Sequence, residues 1–310
     1  MLDIQKSHIM TSYYAPRGAH RMYALGMQLA QLHLSPFDKL IGIIGEAGSG
    51  KSALIKGMFP GLELTNDDDG VNVRPLPLLD LDVKFAFFTP HTYHLDIRFE
   101  NGFTQMSVLA VAIMEAVHRG KREVVEHFEL VYPYLDIKAF LLIGVGEQIL
   151  ITRPNLFGPD PQDIKDEVYK SLRYRLMSHT AEDLCEYCMP YEDWERCSHD
   201  DSRHGFVITF PETAPNFDIR ELEAKVQDLI RQNLDVTYHD DMHVSIGGHL
   251  HRCTGPRIHV RRTGQIEGFR LLDHFLFDPF ERKYLMVGCV GENVEENLKL
   301  LERHKQTAWT

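Results

Sequence analysis

Apolar positions recur every three to four residues from 23 to 34 (YALGMQLAQLHL), which predicts a helix with one buried face. Residues 39–44 (KLIGII) form a short apolar run that flows into a glycine-rich loop, the pattern of a buried strand. Helical spacing resumes over 52–58. It is strongest over Met106–His118 (MSVLAVAIMEAVH), where Arg119-Gly120 supplies the stop and basic residues stand at the C-terminal end. Residues 123–130 (EVVEHFEL) and 149–152 read as further strands. Strands alternating with helices predict an α/β domain over residues 1–155, a mostly parallel sheet with helices on both faces.

The pattern changes after Thr152. Residues 153–162 (RPNLFGPDPQ) carry three prolines and a glycine and read as an interdomain linker. A long helix is predicted from 163 towards 188, then a Cys/His-rich loop, a strand over 205–210, a helix over 219–233, strands from 236 onward and a helix over 292–303. Segregated helices and strands predict an α+β domain over 156–310.

Composition narrows the possibilities. A chain of 310 residues, 44% hydrophobic and 25% charged, is long enough for about two globular domains. Lys plus Arg (33) against Asp plus Glu (45) leaves −12, which excludes a general binder of nucleic-acid backbones, so DNA is not an expected partner. Without a run of eighteen apolar residues or a signal-peptide layout at the start, a cytoplasmic protein without a membrane span is expected.

Residues 45–52 (GEAGSGKS) satisfy G-x-x-x-x-G-K-[ST] between a predicted strand and a predicted helix. In such a loop the backbone of Gly45, Glu46, Ala47, Gly48, Ser49 and Gly50 wraps a phosphate with its N–H groups pointing inward. Lys51 reaches the β- and γ-phosphates and Ser52 can ligate Mg²⁺. ATP and Mg²⁺ are therefore the expected ligands of the first domain.

This half resembles the nucleoside and uridine kinase branch of P-loop proteins. The resemblance implies that Glu126, at the end of an apolar strand, positions Mg²⁺ or its water. It makes Asp67 or Asp68, in the acidic turn TNDDDG, the base for an acceptor hydroxyl, and lets residues 91–100 (HTYHLDIRFE) line an acceptor pocket. One departure is that His127 stands where that branch has glycine.

The second half carries RYRLMSHTAEDL at 173–184, FDIRELEAKVQDLIRQNLDV at 217–236 and HVSIGGHLHRCTGPRIHVRRTGQI at 243–266. In that order these blocks resemble the editing domain of alanyl-tRNA synthetases and their free-standing deacylase relatives. The chain as a whole resembles bacterial proteins that contain the second additional domain of that synthetase. The resemblance implies Zn²⁺ held by His179, Asp183, Cys253 and His259, with Asp183 where the family has a second histidine. His249 and His251 alternate with Cys253 and could substitute. A separate group, Cys185-x₂-Cys188-x₈-Cys197-x-His199, also has the spacing of a zinc site. One mixed site and two separate sites both remain open. Arg252, Arg257, Arg261 and Arg262 form a basic patch that would suit a tRNA acceptor end.

The sequence thus leads to an ATP-dependent phosphotransferase or ATPase coupled to a zinc domain that recognises tRNA or an amino acid. The alternatives are a nucleotide-regulated sensor or tRNA-binding protein without turnover, and an aminoacyl-tRNA deacylase.

Overall fold

The computed structural model describes residues 9–62, 64, 92–154 and 156–305. Asp67, Asp68 and His91 lie outside the described residues. The chain forms two compact units, one of residues 1–15 and 19–170, the other of residues 16–18 and 171–310. Among the described residues no helix is long and apolar enough to cross a membrane.

In the first unit, β1 (Met10–Tyr14) precedes α1 (Ala19–His33), β2 (Leu40–Gly45) and α2 (Lys51–Met58). Then follow β3 (Thr92–Asp96), α3 (Ile97–Glu100), α4 (Met106–His118), β4 (Arg122–Glu126), α5 (Phe128–Val131), β5 (Leu141–Val145) and β6 (Gln148–Thr152). The strands make one six-stranded sheet in the order β1-β6-β5-β2-β4-β3. The pairs β5–β2, β2–β4 and β4–β3 are parallel, whereas β6 and β1 run antiparallel along one edge. The sheet is therefore mixed rather than wholly parallel. The cause is local: Gly146 and Glu147 turn β5 straight back into β6, too short a link for the crossover that a parallel neighbour needs.

Alternation along the central strands buries both faces, and helices cover each. Ile41, Ile43, Val124 and Leu141 pack with Met22 and Leu29 of α1 and Leu54, Ile55 and Met58 of α2. Leu40, Ile44, Val125 and Leu142 pack on the other face with Leu109, Ala110, Ile113 and Ala116 of α4. The strand predicted over 123–130 stops at Glu126, because His127 adopts a left-handed backbone (φ 55°) that turns the chain into α5.

Residues 153–162 do not divide the molecule. Helix α6 begins at Pro161 and runs 28 residues to Cys188, and the division between the units falls inside it, after Lys170. Ile164 and Val168 pack in the first unit's core, which places the start of the helix there.

The second unit continues with α7 (Tyr191–Arg196), β7 (Ser198–Ser202), β8 (Gly205–Pro211), α8 (Ile219–Gln232), β9 (Val236–Asp240), β10 (His243–Ile246) and β11 (His249–Arg252). It ends with β12 (Arg270–Leu271), β13 (Leu276–Asp278), β14 (Lys283–Cys289) and α9 (Val294–Lys305). Strands β7, β8, β14, β12 and β13 build one antiparallel sheet, and β9, β10 and β11 a second. Asp218 caps α8 by accepting from Arg220 N and Glu221 N, and left-handed Asn233 closes it. Met177, Ala181, Leu184 and Cys185 of α6 share a core with Phe206, Ile208 and Phe210 of β8 and Leu222 and Val226 of α8.

Candidate functional site

Two arrangements of polar side chains stand apart from these apolar cores. The first follows β2. The chain leaves the strand at Gly45 and enters α2 at Lys51, and Gly48 (φ 77°) and Gly50 (φ 92°) take left-handed conformations that a side chain would oppose. Gly50 N-caps α2 without a side chain, so the backbone approaches the helix start unobstructed. Lys51 is buried. Its Nζ donates to Glu46 O at 3.0 Å and lies 3.5 Å from Glu126 Oε2 on the neighbouring parallel strand. Arg98 Nη1 donates to Glu46 Oε1 at 2.9 Å, and this pairing holds the Glu46 carboxyl below its ordinary range.

Around Glu126 the ends of the parallel strands gather acids and imidazoles. His94 Nε2 lies 3.1 Å from Glu126 Oε1. Burial opposes ionisation of Glu126, but the His94 hydrogen bond and the nearby charges of His94 and Lys51 hold its carboxyl below the usual value. Asp96 ends β3 opposite Glu126 in the register and caps α3 by accepting from Arg98 N at 2.9 Å and Phe99 N at 3.2 Å. Ligand atoms of Asp96, Glu126 and His127 all lie within 4.8 Å of one another. Glu100 lies in the same region. Burial, with help from Asp96, pushes its carboxyl up to about 7.

The sequence singled out residues 45–52 and Glu126 here, and Asp96 only as one of residues 91–100 expected to line an acceptor pocket. The usable signal was an acid closing the run TYHLD, as Glu126 closes REVVE. His127 takes a left-handed backbone, a conformation that glycine adopts freely and in which histidine must be held.

The second arrangement lies in the second unit. His179, Glu182, Asp183 and Glu186 fall at i, i+3, i+4 and i+7 on α6 and share one buried face. Opposite them is Arg17, a residue of the same unit. Its Nη1 donates to Glu182 Oε2 at 2.5 Å, and its Nη2 donates to Cys253 Sγ at 3.1 Å and pairs with Asp183. Burial works against the Arg17 charge, yet Glu182, Cys253 and Glu186 raise its pKa further still.

His259 completes this side. Thr180 Oγ1 donates to Leu176 O at 2.8 Å and accepts from Val260 N at 3.1 Å. Its hydrogen is thereby committed, so the 3.3 Å contact with His259 Nδ1 requires Nδ1–H to be the donor. The lone pair of Nε2 then faces Cys253 Sγ at 3.3 Å and Asp183 Oδ2 at 3.4 Å. Gly255 N also donates to Cys253 Sγ, at 3.2 Å.

Of the residues that sequence reading proposed for one zinc ion, Asp183, Cys253 and His259 converge, with ligand atoms within 4.8 Å. His179 is not in that group. It is fully enclosed, and burial together with Arg17 and Arg175 lowers its pKa well below the ordinary imidazole value.

Cys185, Cys188, Cys197 and His199 are not brought to a common point. Cys185 and Cys188 lie in the last turn of α6, Cys185 deep in the core. Cys197 caps α7, and its thiol donates to Trp194 O at 3.2 Å. Burial pushes the Cys197 thiol up to about 12 and the Cys185 thiol well above its usual value. His199 sits on β7 and faces carboxylates instead, with Nε2 2.9 Å from Glu186 Oε1.

His249 and His251 part company despite their alternation: His251 is buried and His249 exposed. The arginine patch is partly neutralised, since Arg257 pairs with Asp241 at 3.5 Å and Arg262 with Asp235 at 2.9 Å. Arg17, Glu182 and Glu186 went unnoticed in the sequence. The two glutamates carried a signal, the i, i+3, i+4, i+7 stripe from His179. Arg17 carried none, being 165 positions from Glu182. Compared with known proteins, the chain matches no family model and no curated sequence.

Proposed function

We propose that the first unit binds a nucleoside triphosphate with Mg²⁺ and transfers or hydrolyses its γ-phosphoryl group, as a P-loop protein of the kinase-like kind. The observation that carries this reading is Lys51. Its ammonium is buried at the head of α2, above a loop with two left-handed glycines, between a backbone carbonyl and the Glu126 carboxylate. A lysine ammonium held there has one carbonyl and one carboxylate as partners. Polyphosphate oxygens would offer the ammonium further acceptors, and would also accept from the loop N–H groups and the N-terminus of α2.

Ser52 and Glu126 would hold Mg²⁺, which neutralises charge on the β- and γ-oxygens when bound. The carboxylate already stands beside the lysine and ends the neighbouring parallel strand, as this task requires. Asp96 ends the next strand and is suited to take the proton of an acceptor hydroxyl.

A second reading, nucleotide binding without turnover, is favoured by one observation. His127 stands within 4.8 Å of both Glu126 and Asp96, where the resembled kinases have no side chain. Magnesium-dependent ATP turnover separates the two. The first reading expects turnover that Glu126→Gln and Asp96→Asn each remove while nucleotide binding persists. Saturable ATP binding with no turnover, alone or with nucleoside acceptors, selects the second. Absence of both binding and turnover overturns the two together.

A further inference from the structure

Beside Arg17, the second unit buries three carboxylates of α6 against one guanidinium. Glu182, Asp183 and Glu186 are buried together on one face of α6. Arg17 pairs with Glu182 and Asp183, and the imidazoles of His199 and His251 approach Glu186; counting the imidazoles as neutral and the three carboxylates as ionised, −3 and +1 leave −2. Buried charge without a counter-charge is strongly unfavourable, and the balance here equals one divalent ion.

The remaining geometry says where that ion belongs. Ligand atoms of Asp183, Glu186 and His251 lie within 4.8 Å of one another, all three residues being buried. Asp183 Oδ1 lies against the Arg17 guanidinium, while Asp183 Oδ2 and His251 Nε2 make no hydrogen bond. His251 Nε2 is 3.6 Å from Glu186 Oε2. His199 Nε2 is 2.9 Å from Glu186 Oε1, yet neither of those two atoms has a hydrogen-bond partner. Donor and acceptor atoms this close, but out of line with each other, share a common target rather than a bond. Trp194 Nε1 donates to Glu186 Oε2 at 3.0 Å and fixes the carboxylate in that attitude, as outer partners of ligating carboxylates do.

We propose that Asp183, Glu186 and His251 bind one divalent transition-metal ion, with His199 beside it. This position is distinct from the Cys253–His259 side, where the Arg17 guanidinium already lies against Asp183 and Cys253. Two carboxylates and an imidazole suit Zn²⁺, Mn²⁺ or Fe²⁺ rather than Ca²⁺ or Cu⁺. The 3.6 Å between His251 Nε2 and Glu186 Oε2 is close to the separation of two ligand atoms that each lie about 2.0–2.2 Å from one ion.

The test uses the untagged full-length protein, stripped with chelator and reloaded with Zn²⁺ or, for spectroscopy, Co²⁺. One equivalent of tightly bound metal is expected. Glu186→Gln, nearly isosteric, and His251→Gln should each weaken binding about tenfold to hundredfold. Cys253→Ser should leave both stoichiometry and affinity unchanged. The Co²⁺ form should lack thiolate-to-metal charge transfer. Circular dichroism checks that each variant is folded. Failure to bind any metal overturns the proposal. So does a bound ion with thiolate charge transfer that is lost in Cys253→Ser and kept in Glu186→Gln.

Discussion

The Lys51 ammonium, at the start of α2, lies 3.5 Å from the carboxylate of Glu126, which ends β4, and both side chains are buried. The pair joins the phosphate loop to the acid that ends the next strand. Each group thereby satisfies a charge that would otherwise be buried alone. On the proposed reading, a Mg²⁺–triphosphate complex would bring both an anion for Lys51 and a cation for Glu126, so that the pair would open without leaving either charge unmet.

Glu126→Gln removes the acid but not the lysine. ATP affinity without Mg²⁺ should hold or rise, because Lys51 no longer has a competing carboxylate. The gain in affinity that Mg²⁺ confers on the wild type should shrink by roughly tenfold, the loss of one charged contact of about 1.4 kcal/mol. Calorimetric titrations with and without Mg²⁺ measure both terms.

Besides its packed side chains, the helix that begins at the loop meets α1 in direct backbone contact. A Cβ at Gly57 would stand 2.1 Å from Tyr23 O, and one at Gly26 would stand 2.4 Å from Leu54 O, so α1 and α2 cross glycine to glycine. Gly57→Ala must push the helices apart. The expected cost is about 3 kcal/mol, the upper range for overpacking, read as a lower urea midpoint with little change in slope.

Glu100 gives the first unit a pH dependence of definite sign. Burial and the neighbouring Asp96 raise its carboxyl to about 7 in the folded state, against about 4.3 in an unfolded chain. The folded state therefore favours the protonated acid. Its contribution is fully present below about pH 4.3 and is lost as pH rises to about 7. Glu100→Gln keeps the neutral form at every pH. It should stabilise the protein at pH 8 by up to about 3 kcal/mol and flatten thermal stability between pH 5 and 7. Equal melting-temperature profiles for the two proteins would exclude this role.

In the second unit, Arg17→Ala leaves Glu182 and Asp183 buried beside a thiol and without their guanidinium. Breaking a buried pair from one side costs about 3–5 kcal/mol. Urea denaturation monitored in the second unit, through Trp194, should show the loss.

Some of this was legible in the sequence because it is local. The loop and its flanking elements follow from residues 40–58, and Met106–His118 forms the helix its periodicity predicts. Glu126 could be found as the acid ending an apolar strand. The antiparallel edge was not legible, since β1 meets β6 across more than a hundred residues and no local pattern encodes that pairing. The cysteines misled for a physical reason. Their spacing suits a zinc turn, but positions 185 and 188 also fall at i and i+3 on a helix. Apolar neighbours such as Met177, Ala181 and Leu184 carry Cys185 into the core. Glu182 and Glu186 looked like solvated helix charges because their counter-charge, Arg17, is remote in the chain.

The most direct measurement is the affinity of Mg²⁺–ATP for the wild-type protein and for Lys51→Ala, by isothermal titration calorimetry. The account predicts saturable binding at one site per chain in the wild type. It predicts a loss of at least about a hundredfold, roughly 2.7 kcal/mol, when the ammonium is removed. Equal affinity in the two proteins, or no binding by the wild type, would contradict it.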